Sequence, residues 1–161
     1  MEYRLDLNNL YKILELVSEY NCKLLPVIKG RNEEDILQLY NEGFREFGEN
    51  RLNELSDHAR FLPEARFHFI APLQSRKIRE IMNSCDFIHT LQRPKEILAI
   101  NECYENQDIF VQINIDDDPN KSGIKINEVD EFFDNFEGLK YFPVGIMCCL
   151  LYTSDAADES S

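Results

Sequence analysis

The stretch "KLLPVIKG", residues 23–30, has the composition of a buried strand that ends at a lysine and a glycine. Its large apolar residues fall on both faces of a short run, which favours a strand covered on both sides, as in a parallel sheet. Lys29 stands where this strand ends. It is either the first solvated residue after a core strand or an amine held at the mouth of a site.

Strand-like and helix-like segments alternate along the rest of the chain. A helix is predicted before the first strand, and Asn32 and Gly43 mark the start and stop of a second helix after it. Further strand-like runs are residues 44–50, 66–72, 86–92, 109–115 and 141–147, and helical runs are residues 51–62, 73–84, 94–105 and 126–136. Strand starts that recur about every twenty residues predict βα units and a parallel α/β sheet.

Two parallel architectures fit this alternation, an open doubly wound sheet and a closed (β/α) barrel. A complete barrel has eight units and typically about 250 residues. This chain has 161 residues, so it is either an open sheet or an incomplete barrel of about six units. Neither a dinucleotide fingerprint nor a P-loop follows the first strand.

The composition argues against some classes of partner and indicates a cellular compartment. Thirty acidic residues against 17 basic ones give a net charge of -13, which repels nucleic acid and anionic membranes. The sequence shows neither a secretory leader nor an apolar run long enough to span a bilayer, so we expect a cytoplasmic protein without membrane contact. The five cysteines show no CxxC spacing, which indicates buried thiols rather than disulfides or a zinc site.

In both architectures, ligands bind at the carboxyl ends of the strands. The polar or polarisable residues predicted there are Lys29, Glu49, Asn50, His68, His89, Asn114, Lys121 and Met147. Each of them, taken alone, is explained as well by a solvated or structural role. A free amine at Lys29 would suit a Schiff base with a carbonyl ligand.

The histidines and the acidic run give no metal signal. Strand alternation sends His68 to the face opposite Phe67 and Phe69, and His58 falls in a predicted surface helix. No group of histidines and acids has convincing metal-ligand spacing, and residues 114–120, "NIDDDPN", lack the register of a calcium loop. We therefore predict no metal.

Several motifs together resemble the pyridoxal phosphate homeostasis protein family, whose members are single-domain relatives of the alanine racemase barrel. The motifs are "FGENRLNE" (47–54), "FHFIAPLQSRK" (67–77), "FIHTLQRPKE" (87–96), "VQINIDDDPNKSGI" (111–124) and "GIM" (145–147). Their order and spacing match the family over residues 5–148, and "FGEN", "HFIAPLQ" and "NKSGI" are the specific ones.

The resemblance implies a TIM-like barrel of the alanine racemase N-terminal type. In that family the first strand ends in the lysine that holds pyridoxal phosphate as a Schiff base, and this position is Lys29 here. By the same matching, Asn50 and His68 line the pocket, Lys121 approaches the oxygen on the pyridoxal ring, and Met147 packs near the ring.

The implied function is intracellular homeostasis of pyridoxal phosphate, without established catalysis. Such a protein would be a monomer in its complete form and would supply the cofactor to apoenzymes that require it. Two alternatives remain open: a single-domain amino-acid racemase that uses pyridoxal phosphate, and a class I aldolase-like barrel that shares only the Schiff-base lysine.

The end of the chain departs from the resemblance. "CLLYTSDAADE" (149–159) resembles a translated sequencing adapter, so we expect residues 1–148 to form a partial cofactor-binding barrel and residues 149–161 to be a non-native tail. Family members continue through two further βα units that bind the cofactor phosphate. The chain as written is therefore expected to bind pyridoxal phosphate weakly and to aggregate through its open sheet edges.

Overall fold

A computed structural model describes residues 5–148 of the chain. The predicted non-native tail, residues 149–161, lies outside the described residues. The helices are α1 (Leu7–Glu19), α2 (Glu33–Asn41), α3 (Leu52–Phe61), α4 (Ile78–Met82), α5 (Pro94–Cys103) and α6 (Val129–Asp134). The strands are β1 (Glu46–Glu49), β2 (Arg66–Phe69), β3 (Phe87–Leu91), β4 (Asp108–Asn114), β5 (Ile124–Lys125) and β6 (Gly145–Cys148).

The strands form one parallel sheet in which neighbours follow the order of the chain. β1 pairs with β2, β2 with β3, β3 with β4, and β4 with both β6 and the two-residue β5. A doubly wound sheet reverses its strand order at a switch point, whereas here each helical connection leads onward in the same direction. The order is that of an incomplete (β/α) barrel, and the doubly wound alternative is wrong.

The two faces of this sheet differ in chemistry because side chains alternate along each strand. On one face, strand residues join the apolar core with residues of the helices; among them are Phe47, Phe67, Ile88, Val111, Leu55 of α3 and Ile97 of α5. The strand registers place a polar and aromatic set on the opposite face, comprising Gly48, His68, Phe87, His89, Phe110, Gln112 and Met147. We call this the inner face.

The segment expected to be the first strand is shorter and less buried than predicted. Only Val27 pairs with the sheet, in an isolated parallel bridge to Gly48. Ile28 is fully buried on the helical side, but Val27 is 44% exposed on the inner face, so the prediction of a strand covered on both sides is wrong. Pro26 has no N–H to extend the ladder, and a turn begins at Ile28, so the pairing stops after one bridge.

The remaining predictions for local structure are largely confirmed. Asn32 caps α2 by accepting a hydrogen bond from the N–H of Asp35 at 2.8 Å. The four cysteines within residues 5–148 are free thiols, but only Cys85 is fully buried, while Cys22 and Cys148 are exposed. Among the described helices, none has the length and apolar character needed to cross a membrane.

Gly123 is required by close backbone packing between β4 and β5. Its φ of +123° lies outside the range that side chains tolerate, and an added Cβ would lie 2.6 Å from the backbone nitrogen of Asn114. Its N–H donates to Oε1 of Gln92 at 2.5 Å. The glycine of the "NKSGI" motif therefore joins the loop after β4 to the end of β3.

We expect Gly123→Ala to lower the free energy of unfolding by about 2–4 kcal/mol, because the clash is with backbone and the φ is strained. Urea denaturation measures this change. Gly138→Ala is the matched control, since Gly138 has φ +74° but no atom within 4 Å of an added Cβ, and it should cost only about 1–2 kcal/mol. Equal costs for the two variants would contradict the packing argument.

Candidate functional site

Lys29 lies in a tight turn at the carboxyl end of the first sheet segment. The turn is closed by a hydrogen bond from the N–H of Arg31 to the carbonyl of Ile28 at 3.0 Å. Gly30 has φ +66°, a conformation that glycine adopts without strain. Lys29 is exposed and lies two residues beyond Val27, which pairs with Gly48 on the inner face.

Asn50 follows β1 and is placed by the carboxylate of Glu49. That carboxylate is fully buried, and its Oε1 accepts from the N–H groups of Asn50 at 2.7 Å and Arg51 at 3.0 Å, at the start of α3. Oδ1 of Asn50 is buried and has no hydrogen-bond partner among residues 5–148. Lys29 and Asn50 each lie two residues beyond the bridged pair Val27 and Gly48, so both follow the carboxyl ends of neighbouring segments at the same edge of the sheet.

Glu49 itself has a structural role. His58, which was predicted on a surface helix, is instead buried on α3, with Nδ1 3.4 Å from Oε2 of Glu49. The prediction failed because the acid at the end of β1 faces this helix and draws the imidazole inward. Glu49 thus joins β1 to α3 and does not face the inner side of the sheet, where Gly48 lies.

Two histidines form a stacked and hydrogen-bonded pair on the inner face. Nδ1 of His68 lies 2.8 Å from Nε2 of His89, and the rings stack on Phe87 and Phe110 with centroid separations of 3.8 and 4.6 Å respectively. Burial, together with smaller contributions from His89 and Arg66, lowers the pKa of His68 to about 3. Burial also lowers the pKa of His89, so the pair is neutral near pH 7.

The outer nitrogen of His68 is available to a further group. Nε2 is buried without a hydrogen-bond partner in the described part of the chain, and Oε2 of Glu46 lies 3.9 Å away. Because both imidazoles are neutral, the hydrogen bond between them couples their tautomers. If His89 donates, Nε2 of His68 carries a proton, and if His68 donates, Nε2 is an acceptor.

The loop after β4 carries Lys121 and is organised by Asn114. The side-chain amide of Asn114 donates to the carbonyls of Asp118 at 2.8 Å and Lys121 at 3.4 Å. Nζ of Lys121 lies 2.5 Å from Oδ2 of Asp116, so the acidic run neutralises and orients this ammonium. Within residues 5–148, no group of three or more His, Cys, Asp or Glu side chains could hold a metal ion.

Met147 lies on β6, at the edge of the described sheet. It is half-buried and pairs in register with Gln112 of β4. Nε2 of Gln112 donates to the carbonyl of Ser122 at 3.2 Å, while its Oε1 is buried and has no partner among the residues described. Gln112 therefore offers a second amide oxygen to the inner face, besides that of Asn50.

The structure brings some of the predicted site residues together and spreads the others along the sheet. Lys29, Asn50 and His68 lie on neighbouring segments of the inner face. Lys121 and Met147 belong to the region of β4 and β6, separated from Lys29 along the sheet by β1, β2 and β3. The order of the sheet alone does not place them beside Lys29.

Two inner-face residues were not assigned to the site from sequence. His89 was noted near a strand end, but nothing in the sequence indicated its pairing with His68, which depends on the register between β2 and β3. Gln112 could have been found from alternation, because it lies two residues before Asn114 on the same strand. Its free oxygen depends on the contact with Ser122, which the sequence does not reveal.

Together these groups make a site with a definite chemical preference. Lys29 follows the segment at one end of the inner face, and two stacked aromatic pairs line that face. Three of its buried polar atoms have no partner among residues 5–148, namely Oδ1 of Asn50, Nε2 of His68 and Oε1 of Gln112. An unpaired buried polar atom costs about 1–3 kcal/mol. The arrangement suits a flat polar ligand that carries a carbonyl group.

The fold and site define a protein class, a (β/α) barrel with an amine at the carboxyl end of its first strand segment. The chain belongs to the family described as alanine racemase, N-terminal domain, whose model matches residues 7–161. The resemblance to pyridoxal phosphate homeostasis proteins is also confirmed. The curated protein of that name from Pasteurella multocida is 33% identical over 150 residues, which cover 88% of this chain and 64% of the relative.

A second curated relative supports this assignment, and two solved structures share the fold. The pyridoxal phosphate homeostasis protein of Escherichia coli is 36% identical over 124 residues, covering 67% of this chain and 50% of that protein. PipY of Synechococcus elongatus with PLP bound matches with a TM-score of 0.74 and 22% identity, over 91% of this chain and 73% of PipY. Alanine racemase of Corynebacterium glutamicum matches with a TM-score of 0.66 and 16% identity, over 85% of this chain and 41% of the racemase. The two structural likenesses establish the fold.

The histidine pair predicts a pH dependence of stability. Because the pKa of His68 is about 3 in the folded state and about 6.5 in an unfolded chain, the unfolded state binds more protons below pH 6.5. Stability from this group is complete above pH 6.5 and falls by up to about 1.4 kcal/mol per pH unit as the pH drops toward 3.

His68→Gln keeps a partner for His89 but cannot titrate in this range. We expect its free energy of unfolding, measured with urea between pH 7.5 and 5, to fall less steeply than that of the unaltered chain. If the free energies of unfolding of the two proteins differ by the same amount at every pH in this range, His68 is not buried in its neutral form.

Proposed function

We propose that this chain binds pyridoxal phosphate through Lys29 and serves the homeostasis of that cofactor rather than a catalysed reaction. The observation that supports the proposal is that Lys29 follows the segment paired with Gly48, at the edge of an inner face that carries unpaired buried polar atoms. The chain spans 64% of the length of one curated relative and half of another. Both relatives bear the cofactor in their names, and PipY was solved with PLP bound.

The described residues fit this cofactor. Pyridoxal phosphate supplies an aldehyde, which condenses reversibly with a lysine amine and releases one water molecule. The turn at residues 28–31 presents Lys29 at the mouth of the inner face. The unpaired oxygen of Asn50 can accept a hydrogen bond there, and the neutral histidine pair can either donate or accept one at Nε2 of His68 because its tautomers are coupled.

The two remaining site residues have supporting roles in the proposal. Lys121 would meet the oxygen on the pyridoxal ring, and its ion pair with Asp116 limits the conformations of its long side chain before a ligand arrives. Met147 would pack its flexible thioether against the ring. Both roles require the sheet to curve far enough to bring β4 and β6 opposite Lys29, as in a barrel.

The second half of the proposal is that the chain carries the cofactor and does not catalyse a reaction. The curated relatives are named as homeostasis proteins and not as enzymes. Delivery to apoenzymes, a monomeric complete form and a cytoplasmic location belong to the same proposal, and the free thiols of the described cysteines suit a reducing compartment. Racemisation of an added amino acid that depends on Lys29 would contradict this half.

Borohydride reduction tests the first half, because it makes even weak and reversible attachment permanent. We expect reduction in the presence of pyridoxal phosphate to leave a pyridoxyl group on Lys29, detected by mass spectrometry of the peptide that contains it. Lys29→Ala should abolish this labelling, because the chain then has no amine at the end of its first sheet segment.

Lys23→Ala is the matched control, since Lys23 is an exposed lysine on the same segment. This variant should retain full labelling at Lys29. Equal labelling of Lys23, Lys29 and other exposed lysines in the unaltered chain would mean that no specific site exists, and the proposal would fail.

A further inference from the structure

The turn that carries Lys29 is anchored on both sides, but only one anchor belongs to the sheet. Before Lys29, the N–H of Ile28 donates to the carbonyl of Gly48 at 2.9 Å. After Lys29, the N–H of Gly30 donates to Oε2 of Glu54 at 2.6 Å. The second anchor is a side chain from the first turn of α3, outside the sheet.

Glu54 is itself held in place by a second charged contact. Its Oε1 lies 2.5 Å from Nη1 of Arg51, so one carboxylate oxygen meets a guanidinium and the other meets the backbone of the turn. The hydrogen bond from Arg51 lowers the pKa of Glu54, and the bond from Gly30 lowers it further. The acceptor thus stays ionised to a lower pH than an ordinary glutamate, and hydrogen bonds to a charged acceptor are about twice as strong as neutral ones.

This contact unites two parts of the sequence that lie 24 residues apart. Residues 47–54, "FGENRLNE", contain both Gly48, which pairs with the segment before Lys29, and Glu54, which holds the turn after it. An isolated ion pair on the surface of a helix contributes only about 0–1 kcal/mol to stability. A role for Glu54 at the site should therefore be separable from its contribution to overall stability.

We propose that Glu54 is a positioning residue for Lys29. Through the N–H of Gly30, its carboxylate fixes the turn at residues 28–31 and so holds the amine of Lys29 in the direction needed for cofactor attachment. The inference rests on the proposed function, because it assigns a second residue to the same site. Glu54 acts through the backbone and not by touching the ligand.

The test uses three variants of the 161-residue chain. Glu54→Ala removes the acceptor, Glu54→Gln keeps a neutral acceptor, and Arg51→Ala removes the ion pair but leaves the bond to Gly30. Amide exchange at Gly30 and Ile28, followed by NMR, reports on the turn without any cofactor. The concentration of pyridoxal phosphate that gives half-maximal borohydride labelling of Lys29 reports on the site.

We expect Glu54→Ala to speed exchange at Gly30 and to raise the half-maximal concentration, each by about tenfold, while exchange at Ile28 stays unchanged. Glu54→Gln should lie between Glu54→Ala and the unaltered chain, and Arg51→Ala should stay within about twofold of the unaltered chain. This graded pattern distinguishes positioning from a general loss of structure.

Labelling in Glu54→Ala that matches the unaltered chain would overturn this inference alone. Faster exchange at both Gly30 and Ile28 would also overturn it, because the variant would then have loosened the whole segment. If the unaltered chain gives no specific labelling of Lys29, the proposed function fails and this inference fails with it.

Discussion

The pairing of residues 26–28 with Gly48 is the constraint on which the candidate site depends. Two hydrogen bonds make this pairing, from the N–H of Gly48 to the carbonyl of Pro26 at 2.8 Å and from the N–H of Ile28 to the carbonyl of Gly48 at 2.9 Å. They bring the segment that precedes Lys29 against the strand that precedes Asn50. They also leave the turn after Ile28 within reach of α3.

This pairing favours a residue without a side chain at position 48. An added Cβ there would lie 3.3 Å from Cγ2 of Val27 and 3.4 Å from Cδ2 of Leu25, closer than most neighbours in a folded protein. Gly48 also stands beside His68 in the register of β1 and β2. The glycine of the "FGEN" motif thus lets the first segment approach the sheet while the histidine occupies the inner face.

The inner face is not arranged for the tightest packing. A barrel interior filled with branched apolar residues would be better packed, whereas this one holds two neutral histidines and three unpaired buried polar atoms. The histidines resist protonation because their burial disfavours the charged form. The histidine pair therefore stays uncharged near pH 7, while Asp116 neutralises the ammonium of Lys121 in the loop after β4.

Much of the fold was predictable from the sequence because it depends on local periodicity. Strands such as Phe87–Leu91 and Asp108–Asn114 and the cap of α2 at Asn32 follow from patterns within a few residues, and so does the alternation that turns His68 away from Phe67. The first strand was predicted to be longer than it is. Its length depends on pairing with the neighbouring strand, and Pro26 lacks the N–H that would extend this pairing.

Contacts between distant segments were the part that the sequence did not reveal. The burial of His58 depends on Glu49, and the pairing of His68 with His89 depends on the register of two strands. The bond from Gly30 to Glu54 depends on the angle at which α3 leaves β1. Each is a contact across at least nine positions in the chain, beyond the reach of a periodic pattern.

The most direct test of the central claim is to measure borohydride labelling of Lys29 in Gly48→Ala and Gly48→Val, with far-ultraviolet circular dichroism as the check on folding. If the pairing with Gly48 places Lys29, labelling should fall stepwise from the unaltered chain to the alanine variant and then the valine variant while the helical signal is retained. A folded Gly48→Val variant that labels Lys29 as fully as the unaltered chain would contradict the claim.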